Sequence, residues 1–141
     1  MREIKFRAKH FNKWYYGNLT THKGIDENGN VHVVYILTGL SVEHDMWLPI
    51  CEDSYDTIGQ FTGLCDCEGK EIYEGDILEG PMSDGSKVYH VVSYYDECPG
   101  FVVYPNGDKL GGPSNLDKKW IDECEKKVVG NIFDNPEFFI F

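Results

Sequence analysis

The sequence predicts a mostly β fold, made of small coiled β-sheets that include a compact, SH3-like barrel, with at most one short helix and a C-terminal turn. Asn-Gly, Asp-Gly and Glu-Gly pairs recur at short intervals, and such pairs supply the positive φ of tight hairpin turns. Short runs rich in Val, Ile, Tyr, Phe and Thr lie between them. Glycines inside three of these runs, YYGNL, TIGQF and VVGNI, favour strands that bend around one small barrel.

The first predicted strand, 3–10, has the clearest pattern. Apolar and basic side chains alternate with period 2, which is typical of a strand with one face in the core and one in water. The apolar positions are Ile4, Phe6 and Ala8, and the basic positions are Lys5, Arg7 and Lys9. The pattern therefore predicts an entirely basic exposed face.

Seven further strands follow from the same reasoning. They are predicted at 14–21, 31–38, 56–63, 76–80, 87–95, 101–104 and 127–133. One helix is predicted within 114–127, because apolar residues recur there at helical spacing behind two candidate caps, Ser114 and Asp117. A closing turn is predicted at 135–139, capped by Asn135 and opened by Pro136.

The segment 58–78, IGQFTGLCDCEGKEIYEGDIL, combines four glycines, two cysteines and five acids. We interpret it as a segment that builds shape, because glycine permits backbone conformations that other residues avoid and Asp can accept main-chain hydrogen bonds in a turn. The residues assigned to structural turns here and near the C-terminus are Gly59, Gly63, Gly69, Gly75, Asp76 and Gly130.

Composition limits the function and the compartment. The 13 basic and 24 acidic residues give a net charge of −11, which repels phosphate and disfavours nucleic-acid binding. No apolar run is long enough to span a membrane, and the charged N-terminus lacks the apolar core of a signal peptide. We therefore expect a cytoplasmic protein of one domain, 1–141, that does not bind membranes and whose five cysteines are reduced.

Catalytic and metal-binding motifs are absent from the sequence. Cys65 and Cys67 have the wrong spacing for a zinc knuckle, and the five histidines follow no ligand pattern. No nucleophile elbow or phosphate-binding loop is present. The sequence thus predicts no catalytic residues, no cofactor and no metal, although an active site built from distant residues leaves no local trace.

Two charged faces are candidate binding sites. Lys5, Arg7 and Lys9 could bind a nucleic acid, but cross-strand pairing with acids of a neighbouring strand or subunit explains the same pattern. The second candidate is an acidic face that would mimic DNA and occupy the groove of a DNA-binding protein. Its residues are Glu71, Glu74 and Glu79.

Three separated blocks, MREIKFRA, TIGQFTGLCDCEGKEIYEGDIL and VVGNIFDNPEFF, resemble the YopX family of phage and prophage proteins. The resemblance implies a barrel-containing β fold over 1–141, an origin in a phage or prophage of a bacterial host, and no defined activity. Lys9 and His10 depart from the family pattern, and so do Cys65 and Cys67, which counts against a shared metal site. The residues at the family's characteristic positions are Arg2, Ile4, Phe6, Arg7, Gly59, Phe61, Thr62, Gly63, Gly69, Ile72, Gly75, Asp76, Gly130, Asn131 and Pro136.

We therefore expect a non-enzymatic accessory protein that acts through protein–protein interaction. Its expected partners are other copies of itself and an unidentified host or phage protein, because exposed strand edges need covering and Trp and Tyr suit interfaces. Nucleic-acid binding through the basic strand and DNA mimicry through the acidic face remain the alternatives, and an enzyme is a minority interpretation.

Overall fold

The computed structural model describes residues 3–39, 47–97 and 99–139, which form two antiparallel sheets and confirm the mostly β class. The strands are β1 (Phe6–His10), β2 (Lys13–Ile25), β3 (Val31–Thr38), β4 (Trp47–Pro49), β5 (Gly59–Cys65), β6 (Glu71–Tyr73), β7 (Asp76–Pro81), β8 (Lys87–Tyr95), β9 (Gly100–Pro105), β10 (Ser114–Asn115) and β11 (Lys127–Asn131). Neither sheet closes on itself among these residues, so the predicted barrel is wrong. The chain divides into two compact units, 1–60 and 61–141, and the prediction of a single domain stays a prediction.

The first unit contains β1 to β4 and the first two residues of β5, Gly59 and Gln60, in the order β4-β3-β2-β1-β5. The six-stranded sheet ends with β6. β1 and β2 pair in full, from Phe6 opposite Gly17 to His10 opposite Lys13. One face of this sheet carries the core of the unit, in which Ala8 and Leu37 are fully buried and Ile50 nearly so. β4 lies outside the predicted strands because a three-residue strand is too short to show a period.

The second unit holds the sheet β10-β9-β8-β7-β11. Its core joins residues of this sheet to Ile121 of the α-helix α1 (Lys118–Glu123). The helix is shorter than predicted, and its predicted cap Asp117 is confirmed, because the Asp117 carboxylate accepts a 2.8 Å hydrogen bond from the Trp120 N–H. The C-terminal turn is also confirmed as a 3-10 helix, Pro136–Phe139. Asn135 does not cap it through its side chain; its Oδ1 accepts from the Asn131 N–H at 3.2 Å instead.

Three of the six residues assigned to turns lie at turns. Gly69 and Gly75 have φ of 89° and 88°, the left-handed region that favours glycine. Gly63 has φ of 87° but lies in β5, where the pairing with β6 changes register. Asp76 accepts a 2.8 Å hydrogen bond from the Tyr73 N–H and thereby closes the turn that precedes β7. Gly59 lies in β5 opposite Arg7 and not in a turn, and Gly130 lies in β11.

Gly130 sits where the pairing of β11 with β7 shifts register, which is a β-bulge. A Cβ at this position would overlap the Asn135 Oδ1 atom and lie 2.8 Å from its Cγ. We expect Gly130→Ala to displace Asn135, to break its bond with Asn131 and to lower the free energy of unfolding by about 1–2 kcal/mol. Denaturation of Gly130→Ala and of Gly130→Ala combined with Asn135→Ala measures this, and the second change should restore part of the loss. Equal stability of Gly130→Ala and the parent would contradict the assignment.

Candidate functional site

The long hairpin of β2 and β3 extends past the strands that flank it. The two strands pair from Asn18 opposite Thr38 to Ile25 opposite Val31, whereas β1 reaches only to Gly17 and β4 only to Ile36. Residues 20–25 and 31–34, which we call the ribbon, therefore have no other paired strand among the described residues. Two-stranded hairpins are marginally stable in water, and open strand edges present hydrogen-bonding groups to any chain that approaches.

One face of the ribbon continues the core face of the first unit. Because directly opposed residues share a face, the row that starts at the pair Leu19 and Leu37 continues to Ile25 and Val31. Tyr55 packs on Tyr35 with ring centroids 4.9 Å apart and donates its hydroxyl to the Val33 carbonyl at 3.2 Å. The core ends at that contact.

Three aliphatic side chains extend the row beyond the core. Ile25, Val31 and Val33 are 75%, 63% and 40% exposed, and we call them the aliphatic stripe. Isolated exposed aliphatic residues are ordinary in proteins. A contiguous row that prolongs a core face along a strand with open edges is the arrangement expected of an interaction surface.

The loop that closes the ribbon is ordered by Asp26. Its carboxylate accepts from the N–H groups of Asn28 and Asn30 at 2.9 and 2.8 Å, and lies 2.8 Å from His32 Nε2. The hydrogen bond with His32, followed by that with the Asn30 N–H, lowers the pKa of Asp26. The Asn28-Gly29 pair indicates a turn here, but the strand predicted from the sequence ends at 21, so the ribbon was not predicted.

The predicted basic face is only partly exposed. Arg7 is 5% exposed, with its guanidinium 4.6 Å from the centre of the Trp14 ring, so the expectation of a fully exposed row is wrong at this position. Lys5 and Lys9 are half-buried, and the Lys5 ammonium lies 3.5 Å from the Glu3 carboxylate. The aromatic residue on the adjacent strand covers the central arginine.

The predicted acidic face is also interrupted. Glu79 is 9% exposed and lies 3.3 Å from the Lys87 ammonium and 3.9 Å from that of Lys127. Glu71 and Glu74 are half-buried. The expectation of three exposed carboxylates in a row is therefore wrong for Glu79, because β7 is flanked by β8 and β11, which both bring lysines to it.

The hairpin cysteines do not assemble a metal site. No group of three or more His, Cys, Asp or Glu side chains in the described ranges is placed to hold a metal ion. Cys67 is exposed, and the pKa of its thiol is raised, first by local desolvation and then by the carboxylates of Asp66 and Glu68, so the reactive thiolate is disfavoured.

The second unit has an open cavity of about 710 Å³ beside the loop that follows β9. Its walls are mainly apolar, with Val91, Pro105, Ile132 and Phe139 among the lining residues. Asp108 is the one carboxylate among the described lining residues, and its Oδ1 accepts from the Leu110 N–H at 2.9 Å. The cavity therefore does not gather the histidines and acids that an acid–base active site would need.

Comparison with known proteins gives a family and a fold. A family model described as YopX protein matches residues 5–139. The crystal structure of protein EF1440 from Enterococcus faecalis matches with 22% sequence identity and a TM-score of 0.55, covering 99% of this chain and 100% of that chain. At that identity the likeness shows the fold alone. No curated protein matches the chain, and none of the helices in the described residues has the length and apolar character needed to cross a bilayer.

Proposed function

Because the chain belongs to the YopX family, which supplies no defined activity, we propose a function from the surface itself: a non-enzymatic phage or prophage protein that works by protein–protein interaction. The aliphatic stripe on the open-edged ribbon is the observation that carries this proposal. A partner that covers Ile25, Val31 and Val33 removes apolar surface from water and pairs the exposed strand edges.

The partner we propose for the ribbon is a second copy of the chain. The whole chain carries a net charge of −11, so most of its surface repels another copy. The ribbon residues 20–25 and 31–34 contain one lysine, Lys23, and no acid, so they do not add to this repulsion. A two-fold contact of the same patch on both copies is the commonest way in which soluble proteins pair. A host or phage protein then binds the assembled form.

Lysine substitution on the stripe tests the self-association. We expect the parent protein to be a dimer or larger by size-exclusion chromatography with light scattering. Val31→Lys should weaken association roughly 100-fold, because it places an uncompensated charge in an apolar contact. Thr20→Lys is the matched control, since Thr20 is exposed on the opposite face of the same hairpin, and it should leave association unchanged.

Three outcomes contradict this proposal: a parent protein that is monomeric at high concentration, a Val31→Lys variant that associates like the parent, and a control that dissociates as readily as Val31→Lys. Circular dichroism spectra that match the parent would show that each variant is folded. Affinity capture from induced bacterial cells with the parent and with Val31→Lys then tests whether a host or phage partner requires the assembled form.

Binding through the basic face or the acidic face has weaker support than binding through the ribbon. Arg7 is buried against Trp14, and Glu79 is held by two lysines, so each face offers fewer exposed charges than its sequence pattern indicates. Binding of oligonucleotides that falls with salt and is lost on charge reversal at Lys5 and Lys9 would favour nucleic-acid binding over the proposal.

A further inference from the structure

Lys126 is a buried cation in the second unit, and none of the carboxylates in the described ranges contacts it. Its side chain is 2% exposed, and its ammonium lies 3.2 Å from His90 Nδ1 and 5.1 Å from the centre of the Trp120 ring. Lysine is almost never fully buried without a paired acid. These two aromatic side chains therefore perform the stabilisation that an acid usually provides.

The contact with Lys126 fixes the protonation of His90. Burial lowers the pKa of Lys126. While the group carries its proton it can only donate hydrogen bonds, so His90 Nδ1 accepts and the ring is the neutral tautomer with its proton on Nε2. The Trp120 ring stands edge to face with the imidazole, with centroids 5.0 Å apart. Gly80 leaves room for the ammonium, because a Cβ there would lie 2.8 Å from Lys126 Nζ.

We propose that His90 and Lys126 form an acid-sensitive latch, in which protonation of His90 places a second positive charge beside the buried ammonium and releases the 118–126 segment from the sheet. The segment is positioned to respond. It contains α1 and the turn after it, and Ile121 and Trp120 connect it to the core that includes Leu78 and Val92.

Among the described residues, no carboxylate forms a hydrogen bond or an ion pair with His90 or Lys126. Asp76 lies on the same face of β7 as Leu78, and its Oδ2 accepts from the Tyr73 N–H. His90 lies opposite Leu78 of β7 and Pro105 of β9, neither of which is titratable. Cys124 is the other titratable group that acts on Lys126. On β7, Glu79 is adjacent to Leu78 in the strand and so points to the opposite face of the sheet.

The direction of the pH effect follows from these contacts. Burial first, and the Lys126 charge second, lower the pKa of His90 to about 4. The unfolded chain therefore takes up the proton first, near pH 6.5. The stabilisation that the neutral His90 ring contributes is fully present above pH 6.5 and is lost as the pH falls towards 4. At pH 4, this group alone should have lowered the equilibrium constant for folding roughly 100-fold.

The test combines a titration with two variants of the full chain. In an NMR titration of the histidine rings, we expect the His90 signal, identified by its loss in His90→Gln, to titrate well below the ordinary histidine range. Lys126→Met should bring the titration of His90 closer to 6.5. As the pH falls from 6.5 to 4, quenching of tryptophan fluorescence by an added quencher should increase in the parent, and it should increase less in His90→Gln. The Gln amide oxygen can accept from Lys126 without taking a proton.

Comparison with His90→Gln removes the contribution of the many carboxylates, which titrate in both proteins. A parent in which His90 titrates near 6.5 would overturn the proposal, and so would a His90→Gln variant that loses stability with acid as steeply as the parent. If His90→Gln does not fold, sequential NMR assignment of the parent identifies the His90 signal, and a titration near 6.5 would still overturn the proposal.

Discussion

Gly80→Ala is expected to destabilise the second unit by about 2–3 kcal/mol, the cost of adding a methyl group to a filled interior. A Cβ at this position would lie 2.7 Å from the Lys126 Cδ atom and 2.8 Å from the Cys124 carbonyl oxygen. The lysine chain can shift, but the carbonyl belongs to the turn that places Lys126 and cannot move without disturbing it. Gly80 is also buried in β7 between β8 and β11, so the strand itself has little room to retreat.

The matched control is Gly24→Ala. Gly24 is also a strand glycine, but a Cβ there would have no heavy atom within 4 Å. We expect its stability to equal or slightly exceed that of the parent, because alanine lowers the conformational entropy of the unfolded chain. Denaturant unfolding followed by circular dichroism compares the two variants. If Gly80→Ala and Gly24→Ala had equal effects on stability, the turn that contains Cys124 would not lie as close to β7 as described.

Asp66→Ala is expected to lower the free energy of unfolding by about 3–4 kcal/mol. The Asp66 side chain is 2% exposed, and its carboxylate accepts from three backbone N–H groups: those of Glu68 at 2.9 Å, Lys70 at 2.8 Å and Val128 at 2.8 Å. The third bond joins the hairpin to β11, 62 residues away along the chain. Bonds to a charged acceptor contribute about 1.5–3 kcal/mol each, and alanine leaves three donors without their acceptor.

The chain contains its own control for this prediction. Asp26 closes the ribbon loop with the same pattern, accepting from the second and fourth following residues, but it makes no bond to a distant strand. Asp26→Ala should therefore destabilise the protein much less than Asp66→Ala. Thermal and denaturant unfolding of both variants measures the difference. If the two losses are equal, the bond from Val128 to Asp66 contributes no stability and this account of the hairpin fails.

The fold class could be predicted from turn pairs and β-branched runs, because both are local signals. Whether a sheet closes into a barrel could not be predicted, because closure depends on which strand edges pair. The same glycines are compatible with an open sheet. Gly63 bends β5 at a change of register, whereas Gly59 lies within β5. The three-residue strands β4 and β6 lie outside the prediction because so few residues show no alternation. β10 falls within the segment predicted as helix, so Ser114 lies in a strand and does not cap α1.

The candidate surfaces were less predictable, since exposure is decided by neighbours on other strands. Arg7 alternates correctly with Phe6 and Ala8, yet Trp14 covers it. Glu79 belongs to an acidic segment, yet lysines of two flanking strands reach it. Lys126 and His90 are 36 residues apart and neither belongs to a motif, so only the folded structure brings them together.

The ribbon also determines where the backbone opens most readily. Its residues 20–25 and 31–33 are exposed on both faces, so opening the end of the hairpin exposes little additional apolar surface. Amide protons there should exchange with deuterated water much faster than those of β7, which are flanked by strands on both sides. A bound partner would slow this exchange, and its affinity would be reduced by the conformational entropy lost when the hairpin end is held still.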